Sequence, residues 1–406
     1  MCVALPSQMN IPQTRMTPRA AERMADIESF HVMQLIARAR ELEAQGRVIV
    51  NMVVGEPDFP LAPAIQAAAM RVLEQGRLSY TPALGITRLR EAIARWYGTR
   101  YGIEVPAARV AVTTGSSGAL LITMGVLLDP GDQVMLADPG YPCNRHFVRA
   151  LDGDPLCVPV GPASAYQLTA ELVDAHWTAR TKAVLVCSPS NPTGTMISAA
   201  ELRAIHSVVR ARGGMLISDE IYHGLTYGES AHTALENGDD VFVINSFSKY
   251  FGMTGLRLGW MVVPESFMLD VDKLAGNLFI SPPDIGQHAA LAAFEPETIA
   301  VLESRRELYR AQRDFLLPAL KALGFGVPVT PEGAFYIYAN CSRFTDDSYA
   351  FCWDVLEKAG VAITPGLDFG DNDPRHHVRV SYPKPIAVLQ EGVRRLGEYL
   401  RKRMRE

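Results

Sequence analysis

The sequence has no long apolar run. Nothing in its 406 residues approaches the ~18 consecutive apolar side chains of a membrane-spanning helix, which excludes a membrane partner of that kind. Paired cysteines are also missing. Cys2, Cys143, Cys157, Cys187, Cys341 and Cys352 are scattered, with no C-x-x-C and no zinc-like spacing, which argues against a disulfide framework or a metal site. There is no basic surplus either. With 39 Lys and Arg against 44 Asp and Glu, the formal net charge is -5, and no footprint for nucleic acid results. The opening MCVALPSQMN lacks the basic-then-apolar pattern of a secretory leader. No G-x-x-x-x-G-K-[ST] and no G-x-G-x-x-G occurs, which excludes a Walker loop and the dinucleotide fingerprint. Repeats and low-complexity tracts are absent. What is left is a 48% hydrophobic, 20% charged chain, expected to be a soluble cytoplasmic protein large enough for more than one domain.

Residues 1 to about 20, rich in Pro, Gln, Thr and Met, read as a lead-in arm. Helical spacing follows from Met24 to Gln45, then a strand over 48–54 and helices over 63–75 and 86–97. Strands are predicted at 109–114, 133–138, 155–160, 182–188, 214–219 and 241–246, with helical patterns at 117–128, 144–151, 169–177 and 198–212 between them. This alternation predicts an α/β protein with a mostly parallel sheet under helices. The run Leu258–Val263 follows too closely for a helical crossover, so it is expected to be antiparallel, the seventh strand of the sheet. A long charged helix over 297–323 then leads into a smaller α+β region, with strands at 325–329, 334–338, 361–363 and 377–381 and helices at 346–359 and 386–403.

Several loops predicted at the carboxyl ends of strands carry unusual polar residues. Ser246-Phe247-Ser248-Lys249 ends one of them. A lysine placed there loses charge to desolvation, and a neutral amine attacks carbonyls. Arg257, eight residues on, suits a phosphate beside that amine. Gly115-Ser116-Ser117-Gly118 opens a helix whose N-terminus is a potential anion site. Tyr141 offers an aromatic face, Asn191 an amide, Asp219 a carboxylate ending an apolar strand, and Arg379 a guanidinium fork within a strand. Each also has a plain structural reading: a solvated loop lysine, a serine cap, a packed aromatic, a turn aspartate, a structural ion pair.

Together and in order, S-P-S-N-P-T-G-T, S-D-E-I-Y, S-F-S-K-Y-F-G-M-T-G-L-R-L-G and R-V-S-Y resemble the class I/II aminotransferases, the fold-type-I enzymes that use pyridoxal 5′-phosphate, from about Met24 to the C-terminus. The resemblance implies Lys249 as the Schiff-base lysine and proton carrier, and Asp219 as the partner of the pyridine nitrogen. It implies Tyr222 and Asn191 on the phenolic oxygen and Tyr141 against the ring. Ser116, Ser117, Ser246 and Arg257 match its phosphate site, with Ser248 as a near neighbour and Tyr80 reaching the phosphate from the other subunit of a homodimer. Arg379 matches the grip on the substrate carboxylate. Asn191 and Gly55 also border the substrate. The implied architecture is a large cofactor-binding domain over 55–296 and a small C-terminal domain over 297–406, with residues 1–54 as an arm and part of the small domain. The expected reaction is ping-pong amino transfer between an α-amino acid and a 2-oxo acid. A β-eliminating carbon–sulfur lyase on the same scaffold is the rival.

One departure bears on substrate. Dicarboxylate readers carry an arginine shortly before a Pro-Pro pair, whereas the matching stretch here, Ala275 to Pro283, has none. A neutral amino donor, aliphatic or aromatic, is therefore expected. Arg145 and Lys384 are the basic residues best placed to overturn that expectation.

Overall fold

The computed structural model describes residues 19–405. Apart from Arg19 and Ala20, the lead-in arm lies outside the described residues, as does Cys2. Among the described residues, seven strands form one sheet: β1 (Val110–Thr113), β2 (Gln133–Asp138), β3 (Asp154–Pro159), β4 (Thr181–Cys187), β5 (Met215–Asp219), β6 (Val241–Ser246) and β7 (Gly259–Val262). Their order is β1-β7-β6-β5-β4-β2-β3. The reversed strand β7 pairs antiparallel with both β1 and β6, as its short connection requires.

The strand sequences are apolar on both faces because both faces are covered. Along β6, Val241 and Val243 pack into one core cluster while Phe242 and Ile244 enter the other, on the opposite side of the sheet. Each such fully buried side chain contributes about 1.5–3 kcal/mol. Two clusters sandwiching one sheet hold the carboxyl ends of β1, β2, β4, β5 and β6 along a single edge, where every chemistry-bearing loop emerges.

The 28-residue helix Pro296–Leu323, about 42 Å long at 1.5 Å per residue, leads out of this unit and stops at Gly324 in the left-handed conformation. Beyond it, Tyr336–Asn340 pairs with His377–Ser381, which pairs in turn with Thr364–Pro365. The N-terminal segment joins this part of the molecule through a parallel pairing of Val50–Asn51 with Val361–Ala362.

Several expectations are corrected. The helix read over 24–45 is broken: a 3-10 turn covers Glu22–Asp26 and the α-helix runs from His31 to Ala44. Its start is set by a carboxylate, Asp368, that accepts from the N–H groups of His31 and Val32. The strand at 48–54 shrinks to Val50–Asn51 because its only partner is two residues long. No strand forms over 325–329, where Pro328 lacks a ladder donor and a single bridge, Gly326 to Asn340, remains. The helix at 346–359 splits into Ser348–Asp354 and a π turn over Val355–Ala359. Helices Met268–Phe279 and Asp284–Leu291, unread in the sequence, cover the region around the Pro-Pro pair. No helix among the described residues is long and apolar enough to cross a membrane.

Candidate active site

A cavity of about 280 Å³ opens along the sheet edge, between the seven-stranded sheet and the three-stranded one. Lys249 reaches it from the turn after β6 and Asp219 from the end of β5. Tyr141 and Asn191 arrive on the loops after β2 and β4, Arg379 on strand His377–Ser381. Gly55, Ser116, Ser117, Tyr222, Ser248 and Arg257 complete the set of expected residues in the lining.

Lys249 Nζ donates to the carbonyl of Gly55 at 2.7 Å and sits 5.8 Å from the centre of the Tyr222 ring. Burial, then the nearby Arg379 guanidinium, pulls its amine down to about 8, which gives it a neutral fraction near physiological pH. Gly55 tolerates no side chain here, because a Cβ would run into the Tyr336 hydroxyl. That hydroxyl is itself bonded to Tyr222 Oη at 2.7 Å.

Asp219 is fully enclosed, and burial pushes its carboxyl up to about 7. It accepts only from the Ile221 N–H, at 3.3 Å, and from the Cys187 thiol, at 3.8 Å. Neither neutralises a carboxylate, so the floor of the cavity holds an acid in want of a cation. Arg379 is the converse. Its Nη1 donates to Asn191 Oδ1 (2.9 Å) and its Nη2 to the Val53 carbonyl (2.8 Å), while Nε is buried without a partner. The guanidinium carbon stands 4.5 Å from the centre of the Tyr336 ring and 4.9 Å from that of Phe369. No carboxylate meets it; an acidic ligand would.

Arg257 has a left-handed backbone and donates to the Thr254 carbonyl at 3.2 Å. Its guanidinium approaches Gly115 so closely that a Cβ there would stand 2.8 Å from Nη2. This brings the guanidinium beside Ser116 and Ser117, in the first turn of helix Gly115–Leu127, whose N–H groups and dipole favour an anion. Lys249, Arg257 and Arg379 thus bond only neutral groups, and the cavity suits a ligand carrying several negative charges and one basic nitrogen facing Asp219. Pyridoxal 5′-phosphate has that make-up: a phosphate for the Arg257 and serine corner, a ring nitrogen for Asp219 and an aldehyde within reach of an amine.

Two expected residues stand apart. Ser246 is buried behind the lining; its Oγ accepts from the Ser248 N–H at 3.0 Å and so supports the turn instead of facing the cavity. Tyr80 does not reach the cavity of its own chain and is 81% exposed. Arg145 and Lys384 stay outside the lining: Arg145 contacts the Asp368 carbonyl at 3.5 Å, and Lys384 pairs with Asp58 at 2.8 Å. Sequence reasoning missed Thr254, Tyr336, Thr364, Asp368 and Phe369, and the apolar group Phe30, Val32 and Met33. Phe335-Tyr336 in an apolar strand was the one local signal, and it reads equally as core. The rest carry no pattern of their own.

Residues 47–396 match the family described as aminotransferase class I and II. The chain is 42% identical to a valine–pyruvate aminotransferase of Mycobacterium tuberculosis over 95% of its own length and 99% of that protein's. It is 32% identical to an aspartate aminotransferase of Geobacillus stearothermophilus, over 95% and 100%. Among solved structures, an aminotransferase from Mycobacterium tuberculosis superposes with a TM-score of 0.91 at 41% identity, covering 95% of this chain and all of that one.

Proposed function

We propose a division of labour for this chain, which belongs to the class I and II aminotransferases. It is a pyridoxal-phosphate-dependent aminotransferase of fold type I, exchanging an amino group between an amino acid and a 2-oxo acid. The relatives named above are aminotransferases, and nothing supports the carbon–sulfur lyase. When bound, the cofactor supplies a carbonyl that takes up the amino group and a protonated ring that draws off the electron pair released at the substrate's Cα.

In our reading Lys249 is the point of covalent attachment, and its Nζ removes and returns the Cα proton. Asp219 would accept from the protonated ring nitrogen, which would relieve its uncompensated burial. With Asn191 Oδ1 engaged by Arg379, the amide Nδ2 is left to donate to the phenolic oxygen, alongside the Tyr222 hydroxyl. Tyr141, in the lining, would lie against the ring. Arg257, Ser116, Ser117 and Ser248 hold the phosphate, with Thr254 beside them and Ser246 bracing Ser248.

Arg379 holds the α-carboxylate of the substrate. Arg379→Ala should cost about 2–5 kcal/mol, roughly thirtyfold to several thousandfold in kcat/KM. Arg379→Lys should restore little, because an ammonium lacks the planar fork and the fit between two rings. Single-turnover rates with the amino donor measure both; wild-type kcat/KM in either variant would end this role.

The observation that carries the substrate reading is the composition of the lining. Phe30, Val32, Met33, Leu120 and Phe369 give it apolar bulk, and its cations are Lys249, Arg257 and Arg379, each with a role already. Nothing there answers a second carboxylate. We therefore assign a neutral amino donor, in keeping with the relative named for valine and pyruvate. Apolar walls separate neighbouring side chains by only ~1–3 kcal/mol per methylene, so moderate breadth is expected. A donor panel of valine, leucine, phenylalanine, alanine, aspartate and glutamate tests this. Aspartate or glutamate exceeding every neutral donor by about a hundredfold would overturn it.

We also infer a homodimer with Tyr80 donated to the partner's phosphate site. Tyr80 stands exposed with Leu78, Leu278 and Ile280, an apolar group better suited to an interface than to water. Sedimentation of the cofactor-loaded enzyme should give a dimer at working concentration; an active, fully loaded monomer would refute the shared site. The division into an arm with part of the small domain (1–54), a large domain (55–296) and a small domain (297–406), and a cytoplasmic setting for the free thiols, complete the proposal.

A further inference from the structure

We propose that Asp368 is a specificity-determining residue: by capping the helix His31–Ala44 from across the molecule, it holds Phe30, Val32 and Met33 as one wall of the substrate's side-chain pocket. The inference rests on the neutral-donor reading above and names the residue that enforces it.

The helix has no cap of its own. Phe30 occupies the N-cap position and has no side-chain oxygen to offer the first N–H groups. Asp368 supplies what is missing from more than three hundred residues away: Oδ1 accepts from the His31 N–H at 2.7 Å and Oδ2 from the Val32 N–H at 2.9 Å. One carboxylate, 4% exposed, thereby satisfies two adjacent donors and faces the positive end of the helix dipole. No cationic side chain bonds it. The residues it secures, Phe30, Val32 and Met33, are the apolar ones that border the cavity from the N-terminal side.

The anchor is rigid. Asp368 sits in the 3-10 turn Gly366–Phe369, pressed so tightly on strand His377–Ser381 that a Cβ on Gly366 would stand 2.8 Å from the His377 carbonyl. That strand carries Arg379, and Phe369, the next residue in the turn, packs 4.9 Å from its guanidinium. One short turn therefore fixes both the clamp for the carboxylate and the wall for the side chain. A substrate held at Arg379 meets that wall in proportion to how far its side chain extends.

Asp368→Asn keeps the shape but can satisfy only one of the two N–H groups; Asp368→Ala satisfies neither. With the cofactor-loaded enzyme, kcat/KM is measured for alanine, valine and leucine, together with amide hydrogen exchange at His31 and Val32. We expect the valine-to-alanine and leucine-to-alanine ratios to change by at least about tenfold, one methylene's worth of discrimination. Alanine should change less than valine and leucine do, and exchange at both amides should accelerate. Met33→Ala, which alters the wall and leaves the cap intact, should shift the same ratios without faster exchange. If Asp368→Asn slows all three donors equally, or leaves the ratios within twofold of wild type, Asp368 is a structural cap and the proposal fails. If Met33→Ala leaves the ratios unchanged, the wall is misplaced and it fails as well. The neutral-donor reading stands or falls separately, on the wild-type panel.

Discussion

Lys249→Ala is expected to abolish covalent retention of the cofactor and to lower turnover by at least about four orders of magnitude. In the role proposed above the amine has two duties, attachment and proton movement, and no neighbour can assume either. The other cations in the lining, Arg257 and Arg379, are guanidinium ions that do not deprotonate. Lys249 is suited to both duties by its surroundings: it is half-buried, bonded to a backbone carbonyl and near two aromatic rings, and desolvation with the nearby Arg379 pulls its amine down to about 8. Borohydride reduction of the loaded wild-type enzyme followed by peptide mass spectrometry should find the adduct on Lys249 alone. An adduct on any other lysine, or a variant with ordinary turnover, would show that the catalytic amine has been misidentified.

Asp219→Asn should leave the cofactor bound but slow each half-reaction by about two to three orders of magnitude, the scale for removing one preorganised charge. The same variant carries a stability signature in the protein stripped of cofactor. Burial raises the folded-state value of Asp219 to about 7, against 3.8 for a free side chain. The folded chain therefore binds this proton more tightly than the unfolded chain does. Below pH ~4 both states are protonated and the group costs nothing. Between there and about pH 7 the unfolded state ionises freely while the folded state resists, so stability falls as pH rises and levels off above 7. The loss is about 4 kcal/mol at most. Stripped Asp219→Asn, which has no charge to bury, should then melt above stripped wild type at pH 8, with the gap closing toward pH 4. Returning the cofactor should reverse the order, since the ring nitrogen's proton partners the carboxylate. Melting curves with no pH-dependent gap would mean that Asp219 is already compensated by something other than the cofactor.

The elements most legible in the sequence were those whose reason is local. β6 and its turn could be read because four apolar residues ending in a polar cluster admit few other structures, and Lys249, Asp219 and Asn191 all stand at or shortly after the ends of such runs. The reversal of β7 followed from the length of its connection alone. Ser246 shows the limit of that logic. A serine at the end of a strand looks the same whether its hydroxyl faces a ligand or braces the next residue, and here it braces Ser248. Helix Met268–Phe279 escaped notice because it lies close to the Pro-Pro pair and its apolar residues Leu269 and Leu278 point outward.

The sequence by itself determined the sheet, the order of its loops and the chemistry that those loops carry, because hydrophobic period and strand-end position are properties of neighbouring residues. Only the tertiary structure decided which surfaces close around that chemistry. Asp368 capping a helix more than three hundred residues away, Phe369 and Tyr336 enclosing Arg379, and Phe30, Val32 and Met33 forming a wall are meetings between distant segments. No local pattern encodes them, since each side chain would look equally at home in an ordinary core. They exist because segments carrying the two sheets, far apart in the chain, come together around one cavity whose lining draws on both.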